Sequence, residues 1–193
     1  ALGASRLVAP AASTTPAALF DPRLAAATRS YAALSREAGR ILSGRHHSAA
    51  AKSQLLLELV ARRGMHGTAT HDLFSNYILY ALGHLAHPAF LAIYSPDLML
   101  RYRDEFSCSQ MSYIFLHLAL DNGLVARHVG LVGHVVAEVW YDDDWHMYDP
   151  YYGVARTDRS GEVLSVEELA KRHDLIARYY GPGPSLAKMA PIL

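Results

Sequence analysis

Residues 107–123 read SCSQMSYIFLHLALDNG, and residues 133–150 read GHVVAEVWYDDDWHMYDP. The first stretch is helical by pattern. Met111, Ile114, Phe115, Leu118 and Ala119 recur at helical spacing, and Leu116 and Leu120 make the segment apolar almost all round, so it is expected to be buried mid-domain. Gly123 is a natural left-handed stop. The text after it alternates. Val125, His128, Val129, Leu131 and Val132 form one strand, and Val135 to Tyr141 a second. Asp142, Asp143 and Asp144 make a tight polar turn, and Trp145, Met147 and Asp149 share one face of a third strand that Pro150 ends.

Cys108, the only cysteine of the chain, opens the helix. A helix N-terminus carries partial positive charge and free N–H groups, which lower a thiol's pKa and can also hold an oxyanion. His134 starts one strand of the hairpin and Asp149 ends its partner, so a register closing on the Asp turn sets them side by side. An imidazole beside a carboxylate has a fixed tautomer and raised basicity, as a thiol-activating base requires. Taken singly, each has a plain structural role open to it: a small buried hydrophobe, one of 11 histidines, a strand-end acid. Their joint order and spacing point to Cys108, His134 and Asp149 as a catalytic set.

The segment 105–153 resembles the transglutaminase-like superfamily of papain-type cysteine enzymes. The shared pattern is a cysteine-headed helix, a strand start Gly123-Leu124-Val125-Ala126-Arg127, a histidine strand, and Trp145-His146-Met147-Tyr148-Asp149-Pro150. Ser107 stands where such enzymes frequently carry glycine. The resemblance implies an α+β fold with a papain/transglutaminase-like core: a buried cysteine-bearing helix packed on a small antiparallel sheet, plus a helical N-terminal half. It also implies a second oxyanion donor near the cysteine, for which Gln110, Tyr102 and Tyr113 are candidates; Trp140 is a substrate-binding candidate, and Arg127 is a structural residue paired with a carboxylate near the site. The activity implied is attack on an amide or peptide carbonyl to give a thioester. Water as acceptor makes a cysteine peptidase or amidase, placed slightly ahead; an amine makes an amide-bond-forming acyltransferase. An inactive binding or scaffold protein that keeps the fold is the third alternative.

Outside that segment, residues 1–17 are rich in Ala, Ser, Thr and Pro without periodicity and read as a tail or linker. Residues 18–193 form one domain: a helical scaffold over 18–100, the catalytic core over 101–156, and a C-terminal helix and loop over 157–193. Asp21-Pro22 starts a helix that runs to Gly44, Ser48 to Arg63 forms a second, and Thr70 to Ala86 a third, whose apolar stripe before Pro88 packs around the cysteine helix. Val166 to Tyr179 is a last short helix, Gly181 to Pro184 a loop, and Tyr179-Tyr180 packs on the surface.

Eighteen basic and 18 acidic residues give a formal net charge of zero, which offers no electrostatic case for nucleic acid or an anionic membrane. No apolar run reaches spanning length, because Leu91-Ala92-Ile93 is soon followed by Pro96, Asp97 and Arg101. The expected partner is an amide- or peptide-containing substrate, with a protein partner open to the helical N-terminal half. No cofactor or metal is expected: His84 and His87 stand three apart, His46, His47, His66 and His71 are scattered, and His134 to Glu138 lies on a strand, where four positions form no chelating face. The Asp142–Asp144 run reads as solvated rather than calcium-binding. The compartment stays open, a soluble chain in bacterial cytoplasm or periplasm being equally compatible.

Overall fold

The computed structural model describes residues 19–44 and 46–172; the 1–17 tail, the C-terminal loop and all of the last helix beyond Arg172 lie outside the described residues. The chain is a mixed α+β protein with small sheets. Helices α1 (Pro22–Ala27), α2 (Tyr31–Leu42) and α3 (Ala49–Arg63) come first, followed by strand β1 (Met65–His66), helix α4 (Leu73–Leu85), a 3₁₀ turn (Pro88–Leu91), helix α5 (Pro96–Tyr102) and strand β2 (Glu105–Phe106). Then come α6 (Cys108–Asp121), strands β3 (Val125–Leu131), β4 (His134–Tyr141), β5 (Asp144–Asp149) and β6 (Val154–Ala155), and α7 (Val166–Lys171).

Helix α6 is central. Its Met111, Ile114, Phe115, Leu118 and Ala119 share one core with Leu56, Leu57 and Val60 of α3 and with Ala137, Val139 and Tyr148 of the sheet. The helix is nevertheless not enclosed, since Leu120 is half exposed. The sheet runs β3-β4-β5-β6, antiparallel throughout. Its other face packs Leu131, Val136 and Met147 against Leu164, Val166 and Leu169, so the sheet is covered on both sides.

The two hairpins are tighter than the sequence suggests. β3 pairs with β4 through Leu131↔His134, leaving Val132-Gly133 as a two-residue turn with Gly133 at φ 80°. β4 pairs with β5 through Tyr141↔Asp144, so Asp144 belongs to the strand and only Asp142 and Asp143 turn, at φ 49° and 62°. Positive φ at both central positions of the second turn is the type I′ geometry that matches strand twist, and aspartate tolerates it.

The N-terminal half departs further from expectation. The 24–44 helix is two helices. Thr28 turns its hydroxyl back onto the Leu24 carbonyl at 2.7 Å, and Ser30 caps a new start by accepting from Ala33 N–H at 3.2 Å; such local side-chain bonds compete with helix continuation. The expected third helix starts late, at Leu73, and kinks at Asn76, whose backbone is extended and whose side chain caps Leu79 N–H at 3.0 Å. Its stripe does not pack around α6: Leu73, Phe74, Tyr77, Ile78 and Leu85 face outward. The helix folds back instead on the 3₁₀ turn, where Gly83 meets Leu91 so closely that a methyl group would overlap it.

Gly64 ends α3 without a left-handed backbone (φ −126°). Its smallness serves packing. A Cβ there would lie 2.5 Å from Cδ2 of the buried Phe106 ring. Gly64→Ala is therefore expected to cost about 1–3 kcal/mol of overpacking strain, read as a lower urea midpoint; an unchanged midpoint would show that the ring has room to yield.

Candidate functional site

Ser107 caps α6 through a reciprocal box with Gln110: Ser107 Oγ accepts from Gln110 N–H, and Gln110 Oε1 accepts from Ser107 N–H at 3.0 Å. That cap puts Cys108 at the first helical position, where N–H groups lack intrahelical carbonyl partners. One turn further along, Ser112 Oγ donates to the Val135 carbonyl at 3.0 Å, which ties the start of β4 to the cysteine end of the helix. His134 is thereby delivered to Cys108.

The register Ala137↔Tyr148, carried on, sets Asp149 opposite Val136, one same-face position from His134. The two are diagonal neighbours rather than directly opposed. A histidine side chain spans that diagonal: His134 Nε2 and Asp149 Oδ2 are 2.8 Å apart, with Asp149 fully buried and His134 nearly so. Asp149 Oδ1 accepts from the N–H groups of Tyr151 and Tyr152 at 3.1 and 3.2 Å, which fixes the carboxylate. With Nε2 bonded to Asp149, the ring lies close enough to the Cys108 thiol for each group to shift the other's pKa.

Burial alone would push the imidazole toward neutrality. The hydrogen bonds and charges of Asp149 and Cys108 outweigh it and hold the His134 pKa up at about 9. For Cys108 burial likewise favours the neutral thiol, and is overcome by the hydrogen bond and charge of His134 and by the N–H groups of Val135 and Ser109, so the thiol lies below its ordinary range. Each charge stabilises the other. The arrangement shifts both groups toward a thiolate–imidazolium pair, whose two titrations belong to the pair jointly.

The remaining sequence candidates fare differently. Gln110 is fully buried, and its amide is saturated: Oε1 also accepts from Ala69 N–H at 2.8 Å, while Nε2 donates to the Ala69 and Ile93 carbonyls at 2.8 and 2.7 Å. It has no donor left for an oxyanion. Tyr113 packs among Tyr94, His117 and His128. Tyr102 ends α5 on the surface. Trp140 lies at the far end of β4, edge-on to Trp145. Arg127 pairs with buried Glu138 at 2.7 Å and lies over Trp145, and the second oxygen of Glu138 accepts from Val166 N–H; this anchors α7, two same-face positions along β4 from His134. The pairing holds α7 on the sheet.

Three aromatic rings do flank the site. Tyr151 and Tyr152 stand 5.9 and 5.4 Å from the His134 ring. Both phenols are pushed up by burial and by the negative charges of Cys108 and Asp149. His66 stacks on Tyr151 with ring centroids 3.4 Å apart and meets Tyr152 edge-on. It arrives there because β1 pairs in parallel with β2, His66↔Phe106, immediately before the cysteine helix. No local pattern signals that contact; the pairing joins segments 40 residues apart. Of the six aromatic side chains crowding the hairpin, only Tyr151 and Tyr152 reach the histidine, because Tyr141 and Tyr148 join hydroxyls at 2.9 Å and Trp140 and Trp145 cover the outer face with Arg127.

Among the described residues no three His, Cys, Asp or Glu side chains gather as a metal site requires. His84 turns onto the Tyr80 carbonyl, and His87 caps the 3₁₀ turn. Comparison of the chain with family models, curated proteins and solved structures returns no match.

The ion pair sets a pH signature. Thiolate exists above the lowered Cys108 pKa and its imidazolium partner only below about 9. Alkylation by iodoacetamide should therefore set in at lower pH than it does for an ordinary thiol. His134→Ala should return it to an ordinary thiol profile, rising through about 8.5. A wild-type rate that itself rises through that range would rule out the activated thiolate.

Proposed function

We propose that this chain is a thiol acyl-transfer enzyme of the transglutaminase-like, papain-type kind, acting on an amide or peptide carbonyl. The observation that carries the reading is the His134 ring bonded by Nε2 to the buried Asp149, with the Cys108 thiol at the head of α6 close enough to the ring that each shifts the other's pKa. A surface histidine needs no buried, doubly supported carboxylate, and a packing cysteine needs no imidazolium. The cysteine-headed α6 against an antiparallel sheet also matches the layout that the sequence resemblance implies.

In this reading the Cys108 thiolate adds to the carbonyl carbon, and charge develops on the oxygen. At the first position of α6 the Cys108 N–H has no intrahelical partner and is the natural first donor to that oxyanion. The imidazolium of His134 then gives its proton to the departing nitrogen, the C–N bond breaks, and a thioester remains on Cys108. Asp149 holds the ring in the tautomer and orientation that both steps require. Neutral His134 next takes a proton from water or from an amine, whose attack releases acid or new amide and restores the thiolate. Tyr151, Tyr152 and His66 wall one side of the pair, but this wall is smaller than the aromatic content of the hairpin suggests, so water is less well excluded and hydrolysis stays ahead of transfer.

A panel of peptide and carboxamide donors, followed by intact-mass detection with and without a primary amine, tests the reading. The wild type should gain an acyl mass that Cys108→Ala never shows, at little cost to that variant's melting temperature. Asp149→Asn should lower turnover by about 10²-fold or more, since the ring loses its orienting charge. Turnover that survives Cys108→Ala would sink the proposal.

A further inference from the structure

From Leu73 to Tyr94 the chain contains no Asp, Glu, Lys or Arg. This stretch is α4 and the 3₁₀ turn that folds back on it, and its large apolar side chains are turned to the outside: Phe74 is 95% exposed, Leu85 87%, Tyr77 68%, Leu73 61% and Ile78 54%, with Phe90 and Tyr94 exposed as well. Together they present on the order of 1,000 Å² of mostly apolar surface, given side chains of roughly 150–250 Å² for the aromatics. The largest apolar patch on an ordinary monomer is about half that.

We propose that the 73–92 hairpin is a membrane anchor that dips into the hydrocarbon of one leaflet of an electrically neutral bilayer. Three features choose lipid over a protein partner. The exposed positions Tyr77, Ile78, Ala81, Leu82, His84, Leu85 and Ala86 sweep about 200° of the helix at ~100° per residue, whereas a partner helix covers only a narrow seam. The nearest charges along the chain lie just outside the hairpin, where Asp72 pairs with Arg103 at 2.7 Å and, on α5, Asp97 with Arg101 at 2.6 Å, as expected of groups that stay in water while the tip leaves it. The 13 residues of α4 rise only ~20 Å, short of the ~30 Å hydrocarbon core, so the element enters one leaflet and does not cross. The stretch carries no Lys or Arg, and its histidines are engaged locally, His84 with the Tyr80 carbonyl and His87 in capping the 3₁₀ turn, which makes acyl chains, not anionic headgroups, the recognised chemistry.

The base is rigid: His71 N–H donates to the Leu91 carbonyl, Ile93 N–H donates to the Ala69 carbonyl at 3.0 Å, and Gln110 bonds both Ala69 and Ile93. Gln110 lies two residues from Cys108. The anchor therefore holds the cysteine end of α6 near the bilayer surface, although it rests on exposure and charge alone and is independent of the thiol chemistry.

Flotation of the full chain with vesicles of phosphatidylcholine alone, in 0.1 M and 1 M NaCl, tests it. The wild type should float equally well at both salts, and so should Cys108→Ala, which separates anchoring from catalysis. The triple variant Phe74→Gln, Ile78→Gln, Leu85→Gln changes only exposed side chains and should bind at least tenfold more weakly. Phe74→Trp, read as the difference from wild type, should shift its emission to the blue on binding and be quenched by brominated acyl chains; this reports insertion even if the triple variant misfolds. Wild type that stays with the aqueous fraction, flotation that needs anionic lipid and vanishes in 1 M salt, or a Phe74→Trp difference signal unmoved by brominated lipid would each overturn the anchor. So would a tight dimer in equilibrium sedimentation that the triple variant dissolves without any flotation, which would make a second copy the occupant.

Discussion

One buried amide organises the working end of this molecule. Gln110 sits in the first turn of α6 with every donor and acceptor of its side chain engaged, bonding Ser107, Ala69 and Ile93. A polar group so buried is stabilising only while all its bonds are made, and removing one partner would expose the others to the full cost of an unsatisfied site. The constraint acts in three directions at once. It shapes the helix cap that presents Cys108, closes the base of the 73–92 hairpin, and aligns the segment 105–106 on which β1 lays His66.

Around that fixed point the site resolves a conflict between burial and charge. Asp149 is shut off from solvent and His134 nearly so, an environment that penalises ions. The penalty is met by contact and charge: the carboxylate accepts the ring N–H and two backbone N–H groups, and the ring and the thiol favour each other's charged form. Such a set is stable as a unit and poorly stable in parts. The same logic recurs on the outer sheet face, where buried Glu138 is offset by Arg127 and by the N–H of Val166, and there the result is attachment of a helix and not chemistry. Geometry relative to a nucleophile is what separates the two pairs.

The apolar side chains of the chain are divided between two destinations. Those of α3, α6 and the inner sheet face enclose one another, whereas those of α4 and the 3₁₀ turn are left outside. The core of α6 is filled from α3 and the sheet, and the kink at Asn76 and the fold-back at Gly83 direct α4 away from it. A hydrophobic stripe thus says that a face will be covered, without saying by what.

The α6 segment and the two hairpins after it were legible in the sequence because their signals are local: an apolar 3–4 repeat ended by Gly123, strict alternation, and turns that demand aspartate or glycine. Strand alternation also sufficed to place His134 and Asp149 on one face, though their diagonal offset required the actual register. Tertiary structure alone decided the rest. Whether Gln110 is a donor to substrate or a saturated clamp depends on Ala69 and Ile93, which reach it only in the folded chain. His66 joins Tyr151 through a parallel strand pair with no sequence signature. The destination of the α4 stripe was likewise undetermined, since helical periodicity records which side chains avoid water together and carries no information about the surface that takes them in.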